Sequence, residues 1–190
     1  MDRDCIQFVR KCHDCQIHGD QIHIPPSELH NLASPWPFSA WGIDIIGPIK
    51  PTASNGHKYI IVVIEYFSCY MEVVSLPNVT AQSMKEFIDK RLNCKFGLPH
   101  HIVSDNGVQF QGVTAEFLKE HKIEHHKSSP YRPQANGAVE AANKTVKKIL
   151  AKMVKTYKDW SSQLPYAVMG YNTTVRSVTC QTPYSLVYGG

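Results

Sequence analysis

Trp41-Gly42-Ile43-Asp44-Ile45-Ile46 is an apolar stretch with one carboxylate at its middle, stopped by Gly47-Pro48. Branched and aromatic residues ended by such turn formers read as a strand. Residues 58–66 predict a second strand, whose run Ile60-Ile61-Val62-Val63-Ile64 is apolar enough to be buried on both faces. Ser54-Asn55-Gly56 supplies a turn between them, so the two strands are expected to pair as a hairpin. Residues 70–76 continue the meander. Thr80 is placed to cap a helix over 81–96, with Met84, Phe87, Ile88 and Leu92 on one face and Gly97-Leu98-Pro99 at its end. A short strand over 101–105 ends on Asp105, and Asn106-Gly107 makes the turn after it. A helix over 114–121, a strand over 123–126, a loop over 128–137, a long helix over 138–157 and a last helix over 160–171 complete the order β-β-β-α-β-α-β-α-α. Five strands among helices predict an α/β chain built on one mixed five-stranded sheet flanked by helices.

The 190 residues, 43% hydrophobic and 19% charged, suffice for one buried core and exclude disorder, collagen and coiled coil. The run Ile60 to Ile64 falls far short of the roughly 20 apolar residues needed to cross a bilayer, and residues 1–20 are polar. A membrane protein and a secreted precursor are therefore not expected. The six cysteines, at 5, 12, 15, 69, 94 and 180, read as reduced thiols. Cys12 and Cys15 form a CxxC, half of a tetrahedral zinc site. The other half would come from His18 and His23 or from residues preceding Met1. The plainer reading is a helix end with two packed thiols, and no Zn²⁺ is expected in this chain alone.

Charge is unevenly spread. Residues 1–126 carry 11 Lys and Arg against 14 Asp and Glu, whereas residues 127–159 carry 8 against 2. A basic segment on a mildly acidic body fits an anionic partner such as nucleic acid; a solvated lysine-rich helix face is the plain alternative. Asp44, inside an apolar strand, calls for a cation or a proton. Asp105 ends another strand, where side chains project into a cleft at the sheet edge. Glu140 opens the long helix, and Lys144, Lys148 and Lys152 follow it at four-residue steps along one stripe. Three carboxylates beside a basic stripe suit two hard divalent cations shared by phosphate oxygens. Taken singly, Glu140 and Lys144 also read as an exposed i,i+4 pair worth about 0.3–0.5 kcal/mol.

Three motifs stand in order: Trp41-Gly42-Ile43-Asp44, then Ser104-Asp105-Asn106-Gly107-Val108-Gln109-Phe110, then Pro130-Tyr131-Arg132-Pro133-Gln134-Ala135-Asn136-Gly137-Ala138-Val139-Glu140-Ala141-Ala142-Asn143. Together they resemble the integrase core of gypsy-type LTR retrotransposons, particularly plant ones, over essentially the whole chain. The resemblance implies a ribonuclease-H-like fold and maps that family's Asp, Asp, Glu triad onto Asp44, Asp105 and Glu140. It implies two Mg²⁺ or Mn²⁺ ions on those acids, and a polynucleotidyl transferase that processes DNA 3′ ends and joins them to target DNA. Arg132, Lys144, Lys147, Lys148 and Lys152 would hold the DNA, with Gln134, Asn136 and Asn143 in and after a loop that closes over it; helix-capping Asn in a proline-rich turn is the plain alternative for the last three. Tyr131 would stack on a base or pack under the loop. The resemblance further implies a homo-oligomer acting in the nucleus, with no targeting signal visible in the chain.

The expected organisation is a remnant of an N-terminal zinc-binding domain at 1–18, a linker at 19–39 and the catalytic core at 40–190, the chain being a piece of a polyprotein. Asp105 and Glu140 are 35 residues apart, one fewer than is usual in the family, which implies a deletion within 110–121. Glu65 stands where close relatives have Asp, and Cys69-Tyr70 replace a Lys-Trp pair. His125 and His126 read as surface or strand-end residues. Two other functions share the residues: a catalytically inactive DNA-binding remnant of the core, and a structure-specific nuclease with water as the only nucleophile.

Overall fold

The apolar strand around Asp44 is the centre of the sheet. The computed structural model describes residues 7, 11, 34, 36–127, 144, 145, 148, 159–176 and 179–189. Strands β1 (Ala40–Ile46), β2 (Tyr59–Glu65) and β3 (Met71–Leu76) form the expected antiparallel meander, with Asp44 opposite Val62 and Ile61 opposite Val74. On the other side of β1, β4 (His101–Ser104) and β5 (Glu124–Lys127) run parallel to it. The sheet order is β3-β2-β1-β4-β5. This mixed five-stranded sheet flanked by helices is a ribonuclease-H-like α/β fold.

Because strand residues alternate, each face has its own core. Trp41, Ile43, Ile61, Val63 and Ile102 meet Met84, Phe87, Ile88 and Leu92 on one side, joined by Phe117 and Leu118. These come from helix α1 (Ala81–Phe87), the π-helical segment Ile88–Asn93 that continues into α2 (Cys94–Phe96), and α3 (Val113–Glu120). On the other face Ile60, Val62, Ile64 and Met71 pack against Trp160, Leu164 and Tyr171, the last three carried by α4 (Trp160–Asn172). Asn172 ends that helix by pairing with the edge of β3. Its Oδ1 accepts from Met71 N at 2.9 Å and its Nδ2 donates to Met71 O at 3.0 Å, so a side-chain amide replaces a missing strand.

Three elements differ from the sequence expectation. The helix over 81–96 is capped as expected by Thr80, whose hydroxyl accepts from Ser83 N at 3.2 Å, but its middle widens, with Cys94 N donating to Asp89 O. The wider turn adds a residue while Ile88 and Leu92 both remain buried. A 3₁₀ turn (Val108–Phe110) follows Asp105 and buries Phe110. A final helix α5 (Pro183–Tyr188), capped by Thr182 with proline in its first turn, was readable from that Thr-Pro pair. The loop at 128–137 and nearly all of the expected long helix lie outside the described residues, as do Cys5, Cys12, Cys15 and positions 19–33. Within 144–148, residues 144, 145 and 148 are helical.

Glu65 closes the fold at one end of β2. It is fully buried, and its Oε1 accepts from Phe38 N at 3.1 Å and Phe67 N at 3.0 Å. Its Oε2 accepts from both the amide and the hydroxyl of Ser68 at 2.6 Å. One carboxylate thus ties the turn at Trp36–Ser39 to the β2–β3 connection, where Cys69 sits at a positive φ of 60°. Burial pushes the Cys69 thiol up, with Glu65 adding to the effect and Arg176 opposing it, which leaves it an unreactive packed thiol. Glu65→Gln keeps the volume but turns an NH₂ group toward two of the donors. We expect a loss of roughly 1–3 kcal/mol in urea denaturation; an unchanged midpoint would show that this clip carries no stability.

Candidate active site

Asp44 and Asp105 both follow the parallel ladder between β1 and β4. Ala40, Trp41 and Gly42 pair in parallel with His101, Ile102 and Val103. Asp44 stands two residues past Gly42 and Asp105 two residues past Val103, the last pair of that ladder, so each acid follows the ladder's carboxyl end by the same step. Both acids fall on the face that carries α4, since Asp44 alternates with Ile43 of the opposite core. Asp44 is half-buried and Asp105 exposed. Clefts at the carboxyl ends of parallel strands are where α/β sheets place ligands.

Local hydrogen bonds orient both carboxylates. Ile45 N donates to Asp44 Oδ1 at 2.9 Å. Gly107 N donates to Asp105 Oδ1 at 3.2 Å, and Gln109 Nε2 reaches the same oxygen at 3.5 Å. This is the turn that Asn106-Gly107 predicted, with the aspartate bonding two residues ahead. A Cβ on Gly107 would lie 2.0 Å from Gln109 Nε2, so glycine is what lets the amide fold back toward the acid.

Beneath Asp105 lies a polar chain that the sequence reading missed. His125 Nε2 is 2.7 Å from Ser104 Oγ, and Ser104 Oγ donates to the Asp105 carbonyl at 2.9 Å. With the serine proton directed to that carbonyl, the Nε2–H tautomer of His125 is the one that donates to Ser104 Oγ and completes the chain. The Phe110 ring lies against His125 at 5.1 Å. The signal was the two-residue period of β5: Ile123 faces the core, so His125 faces inward and His126 outward.

Of the other expected site residues, Lys144 and Lys148 are exposed on helical turns four residues apart. Glu140, Arg132, Gln134, Asn136, Asn143, Lys147, Lys152, Cys12 and Cys15 lie outside the described residues. Asp44 and Asp105 offer hard oxygen donors, the kind that suits a hard divalent cation. His101, Glu124 and His126 form a second group of ligand-type side chains, toward the other end of β4.

The site is thus built on a ribonuclease-H-like sheet, with one aspartate following each strand of its central parallel pair. Residues 35–133 match the integrase core domain, and the chain belongs to that family. It is 30% identical over 186 residues to the Transposon Tf2-3 and Tf2-4 polyproteins of Schizosaccharomyces pombe, a match covering 96% of this chain and 14% of each polyprotein. The catalytic core domain of BIV integrase is similar at 25% identity with a TM-score of 0.62, over 78% of this chain and 93% of that one. A chain of the simian T-cell lymphotropic virus intasome, solved with PP2A regulatory subunit B56 gamma, shares the fold at 20% identity and a TM-score of 0.70, over 100% of this chain and 68% of that one.

Burial holds the His125 imidazole below its ordinary value of 6.5; Lys127 and His126 add to the effect and Asp105 opposes it. As pH falls the unfolded chain takes up this proton first, so the stability His125 contributes is complete above about pH 6.5 and declines as pH drops toward the folded value. His125→Gln keeps an Nε2–H donor and removes the titration. Between about pH 7 and 5 the wild type is expected to lose stability relative to this variant in urea midpoints; a constant difference would refute the burial argument.

Proposed function

We propose that this chain is the catalytic core of a gypsy-type LTR retrotransposon integrase, of the plant kind, acting on DNA as a divalent-metal-dependent polynucleotidyl transferase. The observation that carries the reading is the parallel β1–β4 ladder, whose last pair, Gly42 with Val103, stands two residues before Asp44 and Asp105 respectively. Glu140 would complete the set, and the three acids would hold two Mg²⁺ or Mn²⁺ ions. Bound there, the ions supply Lewis acidity to the attacking and leaving oxygens of an in-line displacement. The protein's own part is positional. The Asx turn at Gly107 and the Ser104–His125 chain fix Asp105, and β1 fixes Asp44. Water attack at a phosphodiester trims a DNA 3′ end, and the 3′ hydroxyl then attacks a target phosphodiester. Residues 40–190 would form the catalytic core, 1–18 the remnant of a zinc-binding domain and 19–39 the linker between them. The protein would work as a homo-oligomer in the nucleus. Among the described residues no helix is long and apolar enough to cross a membrane.

A disintegration assay on branched DNA, the reverse of joining, tests this reading. Resolution that requires Mg²⁺ or Mn²⁺ and is lost in Asp44→Asn and Asp105→Asn is the expected outcome. Folded, DNA-binding protein that yields no product would mean an inactive remnant of the core, and cleavage without joining of a supplied 3′ hydroxyl would mean a nuclease.

Arg132, Lys144, Lys147, Lys148 and Lys152 would hold the phosphate backbone, with Gln134, Asn136 and Asn143 beside the acids. Lys144 and Lys148 are exposed on one helical face, as backbone contacts require. Replacing either by Ala is expected to weaken binding to all DNA sequences alike and to reduce the slope of log affinity against log salt by about 1. A slope that stays the same in both variants would remove these lysines from the interface.

A further inference from the structure

We propose that His101, Glu124 and His126 form a binding site for a late first-row divalent cation, Zn²⁺ above all, separate from the acids at Asp44 and Asp105. Parallel pairing sets His101 beside Glu124 and Val103 beside His126, so the three side chains emerge on one face of β4 and β5. Their ligand atoms converge. His101 Nδ1 is 3.0 Å from His126 Nε2, His101 Nδ1 is 3.3 Å from Glu124 Oε2, and His126 Nε2 is 3.5 Å from the same oxygen.

Those separations are the edges of a coordination polyhedron. Nitrogen and oxygen ligands bound to Zn²⁺ at about 2.0–2.1 Å on tetrahedral corners lie about 3.3 Å from one another. Hydrogen bonding serves the triangle less well. If each ring directs an N–H at Glu124, two N–H groups face each other across 3.0 Å; if one ring does, the other's lone pair has only a shared proton. One cation satisfies all three edges. Two imidazoles and a carboxylate are a zinc donor set, whereas Mg²⁺ prefers oxygen alone. The Glu124 side chain is 67% exposed, so solvent reaches the site and water can take the fourth position.

His101 begins β4 and Asp105 follows its end, about 13 Å along the strand, so the two sites do not share ligands. The location gives the cation a task. β5 is a four-residue edge strand held by β4 alone, and the chain leaves it at Lys127 for the segment that leads to Glu140. A bound ion would pin β5, through Glu124 and His126, to the first residue of β4.

The test uses the full chain with Cys12→Ser and Cys15→Ser, which removes the other zinc half-site, after treatment with a chelator. With Asp44→Asn and Asp105→Asn added to silence the acidic site, titration calorimetry with Zn²⁺ is expected to show one ion per chain, with none taken up from Mg²⁺ at equal concentration. Co²⁺ in its place should give d–d absorption without a thiolate charge-transfer band. At a hundredfold excess over Kd, Zn²⁺ should raise the melting temperature by about 5–10 °C. His126→Ala and Glu124→Gln should each weaken uptake at least about tenfold. If His126→Ala does not fold by circular dichroism, Glu124→Gln, altered at an exposed side chain, decides alone. Absence of Zn²⁺ uptake by the parent, a thiolate band with Co²⁺, or uptake unchanged in the folded variants would overturn the proposal.

Discussion

Three backbone pairs, Ala40 with His101, Trp41 with Ile102 and Gly42 with Val103, hold the parallel half of the sheet to the antiparallel half. Whatever chemistry Asp44 and Asp105 perform depends on that ladder, because a slip of one residue would turn one acid to the opposite face. The ladder is short, and packing protects it. Trp41 and Ile102 are fully buried against α1 and α3, while Gly42 and Val103 line the other face. Register is therefore set by the hydrophobic pattern of both strands, and the acids ride at its end where the apolar pattern stops.

How much of this was legible follows from what each signal depends on. The strands of the meander and the capped helix rest on local periodicity and turn chemistry, which short stretches of sequence carry. The β1–β4 pairing joins residues 61 apart, and only the count of strands and the family resemblance pointed to it. Glu65 is harder still. Its four donors include Phe38 N, 27 residues upstream, so an isolated acid at a strand end carries no sign that it will be wholly buried. His125 was readable from alternation with Ile123 but not its bond to Ser104, which requires knowing that β5 lies beside β4. The π-helical segment has no simple sequence mark at all.

The two histidines of β5 show how one strand serves both faces. His125 turns inward and is held neutral by burial, fixing the backbone at Asp105 through Ser104. His126 turns outward to His101 and Glu124. An edge strand of sequence Glu-His-His-Lys is too polar to be held by apolar burial, and this one is fastened by polar contacts on each side instead. Polar outward residues also suit an edge that must not pair with other chains.

Charge distribution completes the physical picture. The segment that builds the described sheet, residues 1–126, has a deficit of three positive charges, while 127–159 has an excess of six. Acids gathered at the end of the central strands repel a phosphodiester on their own, so a polyanion approaches only if cations intervene or basic residues lie alongside. The sequence supplies the second of these immediately after Glu140, at Lys144 and Lys148, exposed on one helical face. Under the proposed function, attraction and reaction would be divided between two parts of the chain: the sheet that carries Asp44 and Asp105, and the exposed helical residues Lys144 and Lys148, which no sheet register constrains. The division has a consequence for substitution. On that reading, changing a lysine would alter how strongly a polyanion is held, while a slip at Ala40–Gly42 or a change at Asp44 or Asp105 would alter the donor set itself.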